Sequence, residues 1–237
     1  MLSEINAHTP GALVVYTADH GDMFFSHRLA SKGPAIYDEV ARIPLIVRWP
    51  ERTAPGVTVP HPVSHIDLTP TFLEYFGIES PPLLQGESLV PVFSEPDRPL
   101  HDIIFIEFNR FEVDHDGFGA FAPIRCGFDG RYKLSINLLD TDELYDLELD
   151  PAELVNRIDD PACENARVRL HDAIIEWMNH TRDPLRGPHW ACRPWRDLGG
   201  STWGGPTRPR PFDPEFAPPT LLYDTAREID RRAYDKG

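Results

Sequence analysis

Lysine is nearly absent from this chain: of its 23 basic residues only Lys32, Lys133 and Lys236 are lysines. Bases as a whole are outnumbered by 38 acids, and a formal net charge of -15 excludes the cationic footprint that a nucleic acid or an anionic membrane surface requires. The acids are not gathered into runs, so the surplus reads as a solvated acidic surface and not as a tail. Cysteine is scarce as well. Cys126, Cys163 and Cys192 are odd in number and widely spaced, which excludes a paired disulfide framework and a thiolate zinc site. The first residues, Met1-Leu2-Ser3-Glu4-Ile5-Asn6, lack the basic start and apolar stretch of a leader. No run approaches the about 20 apolar residues of a membrane span. As written, the chain reads as soluble and unexported, hence cytoplasmic, with its compartment otherwise unknown. Internal repeats are lacking too.

What is present is a globular chain, 41% apolar over 237 residues, long enough for one or two domains. Residues 12–17 and 43–49 are short apolar, β-branched runs that read as interior parallel strands, joined by a crossover with a short helix at 35–41. Residues 64–76 read as a helix: Asp67 or Thr69 can cap it, Pro70 fits its first turn and Gly77 stops it. From about residue 101 the texture changes to closely spaced strand candidates at 103–108, 120–126, 132–137 and 143–147, with a hairpin signature at Asp129-Gly130. A 3.6-residue apolar period over 163–182 predicts one helix covering that sheet. Beyond Pro184 the composition turns to proline, glycine, arginine and tryptophan. Trp190, Trp195 and Trp203 suggest a segment docked on something, because free linkers seldom carry large apolar rings. The fold class is therefore α/β, in three parts: residues 1–95 an α/β portion, 96–182 a small antiparallel sheet with a helix, and 183–237 an irregular tail.

The chemistry starts where the first apolar run ends. Thr17-Ala18-Asp19-His20-Gly21-Asp22 sets a carboxylate beside an imidazole. Neighbours in a strand point to opposite faces, so the two converge only if the chain turns there, as Gly21 permits. An aspartate oxygen suits a hard divalent cation, and an imidazole widens the choice to manganese or zinc besides calcium. His27 and Lys32 follow in the loop, and an ammonium beside a metal is what an anionic ester needs. Each residue alone has a plainer structural reading as a capped turn or a solvated side chain.

Together they carry a resemblance. The pattern Val14-Val15-Tyr16-Thr17-Ala18-Asp19-His20-Gly21, then His27, Lys32-Gly33, Tyr37 and Arg42-Ile43-Pro44-Leu45-Ile46-Val47, resembles the second half of the catalytic domain of type I sulfatases, in the alkaline-phosphatase superfamily; iduronate-2-sulfatase-like and phosphonate monoester hydrolase-like members are the nearest in form. Further matches follow in order: residues 63–71, Gln85-Gly86-Glu87-Ser88-Leu89, Tyr132-Lys133-Leu134, and Glu143-Leu144-Tyr145-Asp146-Leu147 with Asp150-Pro151 and Asn156. The resemblance implies a mixed-sheet sulfatase domain with a small C-terminal subdomain. It implies Asp19 and His20 as ligands of a divalent cation, calcium first and manganese as the alternative. Lys32 would hold the ester's oxyanion and His27, near the pocket, would be a second catalytic residue, and the substrate would be a small-molecule or saccharide sulfate ester. Phosphonate or phosphate ester hydrolysis is the alternative activity, and a non-catalytic binding module the alternative class.

The family's first metal-binding strand and its Cys-x-Pro-x-Arg motif, whose cysteine becomes the formylglycine nucleophile, precede the Asp-His segment, yet only eighteen residues precede Asp19. The expectation is a C-terminal half, inactive alone, completed by a missing N-terminal half or associating with itself. Cys192-Arg193-Pro194-Trp195-Arg196 spells the motif, but tryptophan follows its proline and Asp197-Leu198-Gly199-Gly200 follows the motif, so it reads as part of the tail. The segment to about Val92 is expected to aggregate when expressed alone, since a pair of strands leaves apolar faces and edges open.

Overall fold

The structure, a computed structural model, describes residues 2–110 and 121–196; the expectations that fall on residues 197–237, Trp203 among them, lie outside the described residues. The chain begins with helix α1 (Leu2–His8) and enters β1 (Val14–Thr17), which pairs with β2 (Leu45–Arg48). The pairing is antiparallel, with Val14 opposite Arg48 and Tyr16 opposite Ile46. This corrects the parallel arrangement expected from the two apolar runs. A parallel crossover needs a connection that spans a sheet face, usually on a helix. Between these strands the helix α2 (Asp38–Ala41) is a single turn, and the rest of the connection is loop. The chain therefore returns beside the strand it left.

A 3-10 turn at His65–Asp67 leads into α3 (Leu68–Tyr75). The capping residue is Ser64, in a reciprocal box with Asp67: the Ser64 amide donates to Asp67 Oδ2 at 2.8 Å. Asp67 is wholly buried and also accepts from the Glu87 amide and from His101 Nε2, which lies 3.0 Å from both carboxylate oxygens. That single carboxylate ties the helix start, the 85–87 loop and the entry to the second sheet together. The loop approaches closely because Gly86 has no side chain; a Cβ there would meet the Ile66 carbonyl oxygen at 2.1 Å. Helix α4 (Val90–Ser94) closes this region.

The second sheet has the order β3 (Ile104–Arg110), β4 (Phe121–Phe128), β5 (Tyr132–Asn137), β6 (Glu143–Asp146), antiparallel throughout. Gly130 takes φ 96° in the β4–β5 turn, where Asp129 Oδ1 accepts from the amides of Arg131 and Tyr132. Helix α5 (Glu164–His180) lays Leu170, Ile174 and Met178 on Leu134, Ile136 and Leu144, all essentially inaccessible. Each such side chain contributes about 1.5–3 kcal/mol by leaving water.

The segment after α5 is docked, as its tryptophans implied. Trp190, in the short helix α6 (Pro188–Ala191), fills the same core, and its Nε1 donates to the Leu185 carbonyl at 2.9 Å. Arg193 grips both oxygens of Asp142 at 2.7 Å each, and Trp195 Nε1 donates to Asp142 as well. Arg196 pairs with Asp172 at 2.7 Å and donates to the Val168 carbonyl, so both arginines of the Cys-x-Pro-x-Arg lookalike are committed to packing. Cys192 itself ends α6, its amide donating to the Pro188 carbonyl.

One buried ion network joins the two sheet regions. Lys133 on β5 meets Asp38 and Glu153, each at 2.6 Å, and Glu153 accepts from the Asp38 amide. Burial pulls the Lys133 amine toward its neutral form, but the two carboxylates outweigh it and hold its pKa above the ordinary lysine value. Removing either partner would strand a charge in the interior. The network fixes α2 against the second sheet, and α2 positions the site. Among the described residues no helix is long and apolar enough to cross a membrane.

Candidate oxyanion and metal site

Past Thr17 the chain leaves β1 and turns at Gly21. The turn is held because the Gly21 amide donates to the Val40 carbonyl at 2.8 Å, and because a Cβ at this position would meet the Glu39 carbonyl oxygen at 1.9 Å. Only glycine allows that approach. Asp19 Oδ1 accepts from the His20 amide at 3.0 Å, and this bond, with a smaller contribution from the His20 ring, holds the Asp19 carboxyl below the usual carboxylate range. His20 Nδ1 lies 2.8 Å from the Gly21 carbonyl oxygen. A carbonyl can only accept, so Nδ1 carries the proton and Nε2 keeps its lone pair.

That Nε2 is the meeting point of the site. Lys32 Nζ lies 3.0 Å from it and Asp19 Oδ2 3.4 Å. The side chains of Asp19 and His20 are 87% and 39% exposed, so both can accept an external ligand. Lys32 returns to this position, ten residues on, because Asp22 closes the intervening loop: its Oδ1 accepts from the Phe24 amide at 3.0 Å and its Oδ2 from the Lys32 amide at 3.3 Å. Asp22 was not among the residues singled out from the sequence, although an aspartate two residues before a turn amide is a recognisable Asx signal.

His27 stands apart from this group. Its ring stacks on Tyr37 with centroids 3.9 Å apart, and its Nε2 is 3.8 Å from Glu39 Oε1. Tyr37 in turn donates to Glu143 at 3.0 Å, and Ser26 donates to Glu39. His27 therefore fastens the loop to α2 and the second sheet, and it is not among the residues lining the cavity beside Lys32. The loop is strained: Phe24, Phe25, His27 and Arg28 all have positive φ, from 43° to 69°.

Asp19, His20 and Lys32 open onto a cavity of about 850 Å³. Val63, Ile66 and Leu45 supply apolar wall, and β3 runs along it from Ile104 to Phe108, with Trp177 of α5 completing that side. His65 also lines it, its Nε2 3.5 Å from Thr17 Oγ1. Lys32 is the one fixed cation among the described residues that line the cavity.

Residues 25–180 match the family of N-sulphoglucosamine sulphohydrolase C-terminal regions. The chain belongs to the sulfatase family. It is 44% identical to the uncharacterized sulfatase YidJ of Escherichia coli over 93% of its own length and 44% of the relative's, so it spans less than half of that sulfatase. A sulfatase structure from Bacteroides thetaiotaomicron superposes with a TM-score of 0.65 at 28% identity, covering 73% of this chain and 37% of the other. The phosphonate monoester hydrolase of Silicibacter pomeroyi superposes with a TM-score of 0.62, also at 28% identity, covering 76% and 38%. The sulfatase fold, with its small antiparallel subdomain, is therefore the architecture here.

The donor chemistry at the end of β1 fits the divalent cation that the family implies. A carboxylate and an imidazole with a fixed tautomer are two donors of the kind accepted by a cation that takes about six, provided the Lys32 ammonium, 3.0 Å from the same ring nitrogen, turns away from it. Among the described residues no group of three or more histidine, cysteine, aspartate or glutamate side chains is arranged to hold a metal. A cation here would need donors beyond Asp19 and His20.

Proposed function

We propose that this chain carries one side of the catalytic centre of a metal-dependent sulfate ester hydrolase. The observation that carries the reading is the convergence of Lys32 Nζ and Asp19 Oδ2 on one ring nitrogen, His20 Nε2, at 3.0 and 3.4 Å. Asp19 and His20 would hold the cation, calcium first and manganese second. When bound, the cation polarises the sulfuryl oxygens and offsets their charge.

The chain's own residues do the rest of what is assigned to it. Lys32 donates to a non-bridging oxygen of the ester and stabilises the negative charge that grows on the departing alcohol oxygen. The Gly21 carbonyl keeps His20 Nδ1 protonated, so the nitrogen facing the site stays a lone-pair donor. Asp22 holds the Lys32 backbone, and the His27–Tyr37 stack holds the loop, so the ammonium arrives in place at little further entropic cost.

No nucleophile is assigned to these residues. Cys192 closes the short helix α6, and its flanking arginines are engaged elsewhere. Turnover then needs the formylglycine and the remaining cation ligands, which would come from sequence like the part of the relative that this chain does not span. The test is reconstitution: an aryl sulfate assay with calcium or manganese, on this chain alone and mixed with a polypeptide equivalent to the part of the E. coli relative that it does not span. The expected result is no turnover alone and turnover on mixing, lost again in Lys32→Ala. Turnover on mixing that Lys32→Ala leaves intact would defeat the assignment. The similarity to a phosphonate monoester hydrolase supports running an aryl phosphonate in parallel. A non-catalytic module would give turnover with neither ester.

A further inference from the structure

The cavity that receives the oxyanion at Lys32 has a second polar feature on the opposite region of the chain. Trp177 on α5 stacks on Phe105 with centroids 4.6 Å apart and planes within 11°, which fixes the indole so that its Nε1 donates to Glu107 Oε1 at 3.0 Å. Both Glu107 and Trp177 line the cavity. The Glu107 side chain is 39% exposed, and its second oxygen, Oε2, takes no hydrogen bond among the described residues. The nearby guanidinium is shared: Arg125 Nε is 3.9 Å from Glu107 Oε1 but 2.5 Å from Asp183, and its Nη1 donates to the carbonyls of Phe108 and Ile124. A carboxylate held in place with a free acceptor oxygen, on the wall of a cavity roomy enough for a sugar ester, is a built acceptor.

We propose that Glu107 and Trp177 form the subsite for the alcohol part of the ester, and that they select an organic group that donates hydrogen bonds and bears no second anion. A hydroxyl or an ammonium donates to Glu107 Oε2, and the indole packs against the carbon skeleton beside it. A second sulfate or a uronate carboxylate placed there meets a fixed negative charge and no cation on the cavity wall, since Arg125 does not line the cavity and Lys32 is already occupied by the reacting group. The hydroxyl and ammonium cases share this chemistry. The inference rests on the reading of Lys32 as the oxyanion holder.

Saturation-transfer NMR and calorimetry on the full chain with calcium would measure binding of glucose 6-sulfate, glucosamine 6-sulfate and a glucose disulfate, with circular dichroism to verify folding of each variant. Wild type is expected to bind the two monosulfates at least about tenfold more tightly than the disulfate. Glu107→Gln keeps an acceptor for the Trp177 indole and removes the charge, and is expected to bring the disulfate to within about twofold of the monosulfates. A preference for the amino sugar over the neutral sugar, lost in Glu107→Gln, identifies the ammonium as the favoured donor; equal binding of the two identifies the hydroxyl. If Lys32→Ala abolishes binding of all three while Glu107→Gln leaves the ratio unchanged, the oxyanion site stands and the subsite is wrong. If Lys32→Ala leaves binding intact, or wild type binds none of the esters, both readings fall.

Discussion

The two sheet regions of this molecule are built on opposite terms. Around β3–β6 and α5 the apolar residues face one another and close: Leu134, Ile136, Leu144, Leu170 and Met178 have no accessible surface, and Trp190 seals the end. Around β1 and β2, in a chain that spans less than half of its sulfatase relative, several apolar residues face out: Tyr16 and Ile46, opposite each other across the ribbon, are 59% and 63% exposed, and Phe24 and Phe25 in the adjoining loop 82% and 76%, while Met23 and Trp49 are buried. The candidate chemistry sits beside the β1–β2 ribbon. The lesson is a division of labour, in which the closed layer anchors α2 through Lys133 and the open one presents Asp19, His20 and Lys32 to a cavity. A ribbon that is two-stranded among the described residues and has an exposed apolar face is also the part expected to associate or aggregate.

The contrast breaks most visibly by truncation. Trp190→Ala is expected to cost about 3–5 kcal/mol, a core cavity that the layer cannot collapse around, whereas Ile46→Thr is expected to change stability by less than about 0.5 kcal/mol and to reduce self-association. Urea unfolding and size-exclusion chromatography measure the two. Equal losses from both substitutions would show that the regions are not differently packed.

The same contrast explains what could be read from the amino-acid sequence. The closed layer announces itself locally: the alternation over 132–137, the Asp129-Gly130 turn and the 3.6-residue period of α5 are short-range signals, and each element formed within a residue or two of its expected ends. The grouping of Asp19, His20 and Lys32 was legible through a family resemblance, because ten residues of loop hide the return of the lysine from any periodicity. The antiparallel pairing of β1 with β2 was missed, since a long connection permits either direction until the size of its helix is known. Long-range partners left no trace at all. Tyr37 and Glu143 lie 106 positions apart, and His27 went from candidate catalyst to loop fastener because Tyr37 and Glu39 claim it. Glu107 and Trp177, 70 positions apart, were unreadable for the same reason.

A second test sharpens the contrast at the junction of β1 and the loop. Gly21→Ala places a methyl group against the Glu39 carbonyl, and since backbone cannot yield as a side chain does, the turn must open. A loss of about 2 kcal/mol or more is expected, with oxyanion binding lost, while amide exchange in β3–β6 stays slow. Protection lost throughout the chain would mean that the regions unfold as one.

Smaller effects follow from the clamp at Asp67. The hydrogen bond from His101 to this buried carboxylate raises the histidine pKa above its ordinary 6.5, against the opposing effect of burial. A raised folded-state pKa stabilises below the unfolded value, and the contribution is lost as pH rises through the folded one. Stability of wild type should therefore fall from pH 6 toward pH 8 relative to His101→Gln, in urea titrations at matched pH; parallel profiles would contradict the ion-pair reading. Last in size is Phe25→Gly. Relief of a left-handed backbone at φ 69° is worth about 1–2 kcal/mol and added chain entropy costs about 0.5–1, so a gain near 0.5 kcal/mol is expected in the urea midpoint.

The most direct measurement is a manganese titration followed by NMR, reading paramagnetic broadening at the histidine rings and lysine amines. The account predicts that the His20 ring, the Asp19 backbone and the Lys32 side chain broaden first and together, with His27 and His171 unaffected at the same metal ratio. Broadening centred on any other histidine, or none near His20 at millimolar manganese, would contradict a cation-centred oxyanion site at the end of β1.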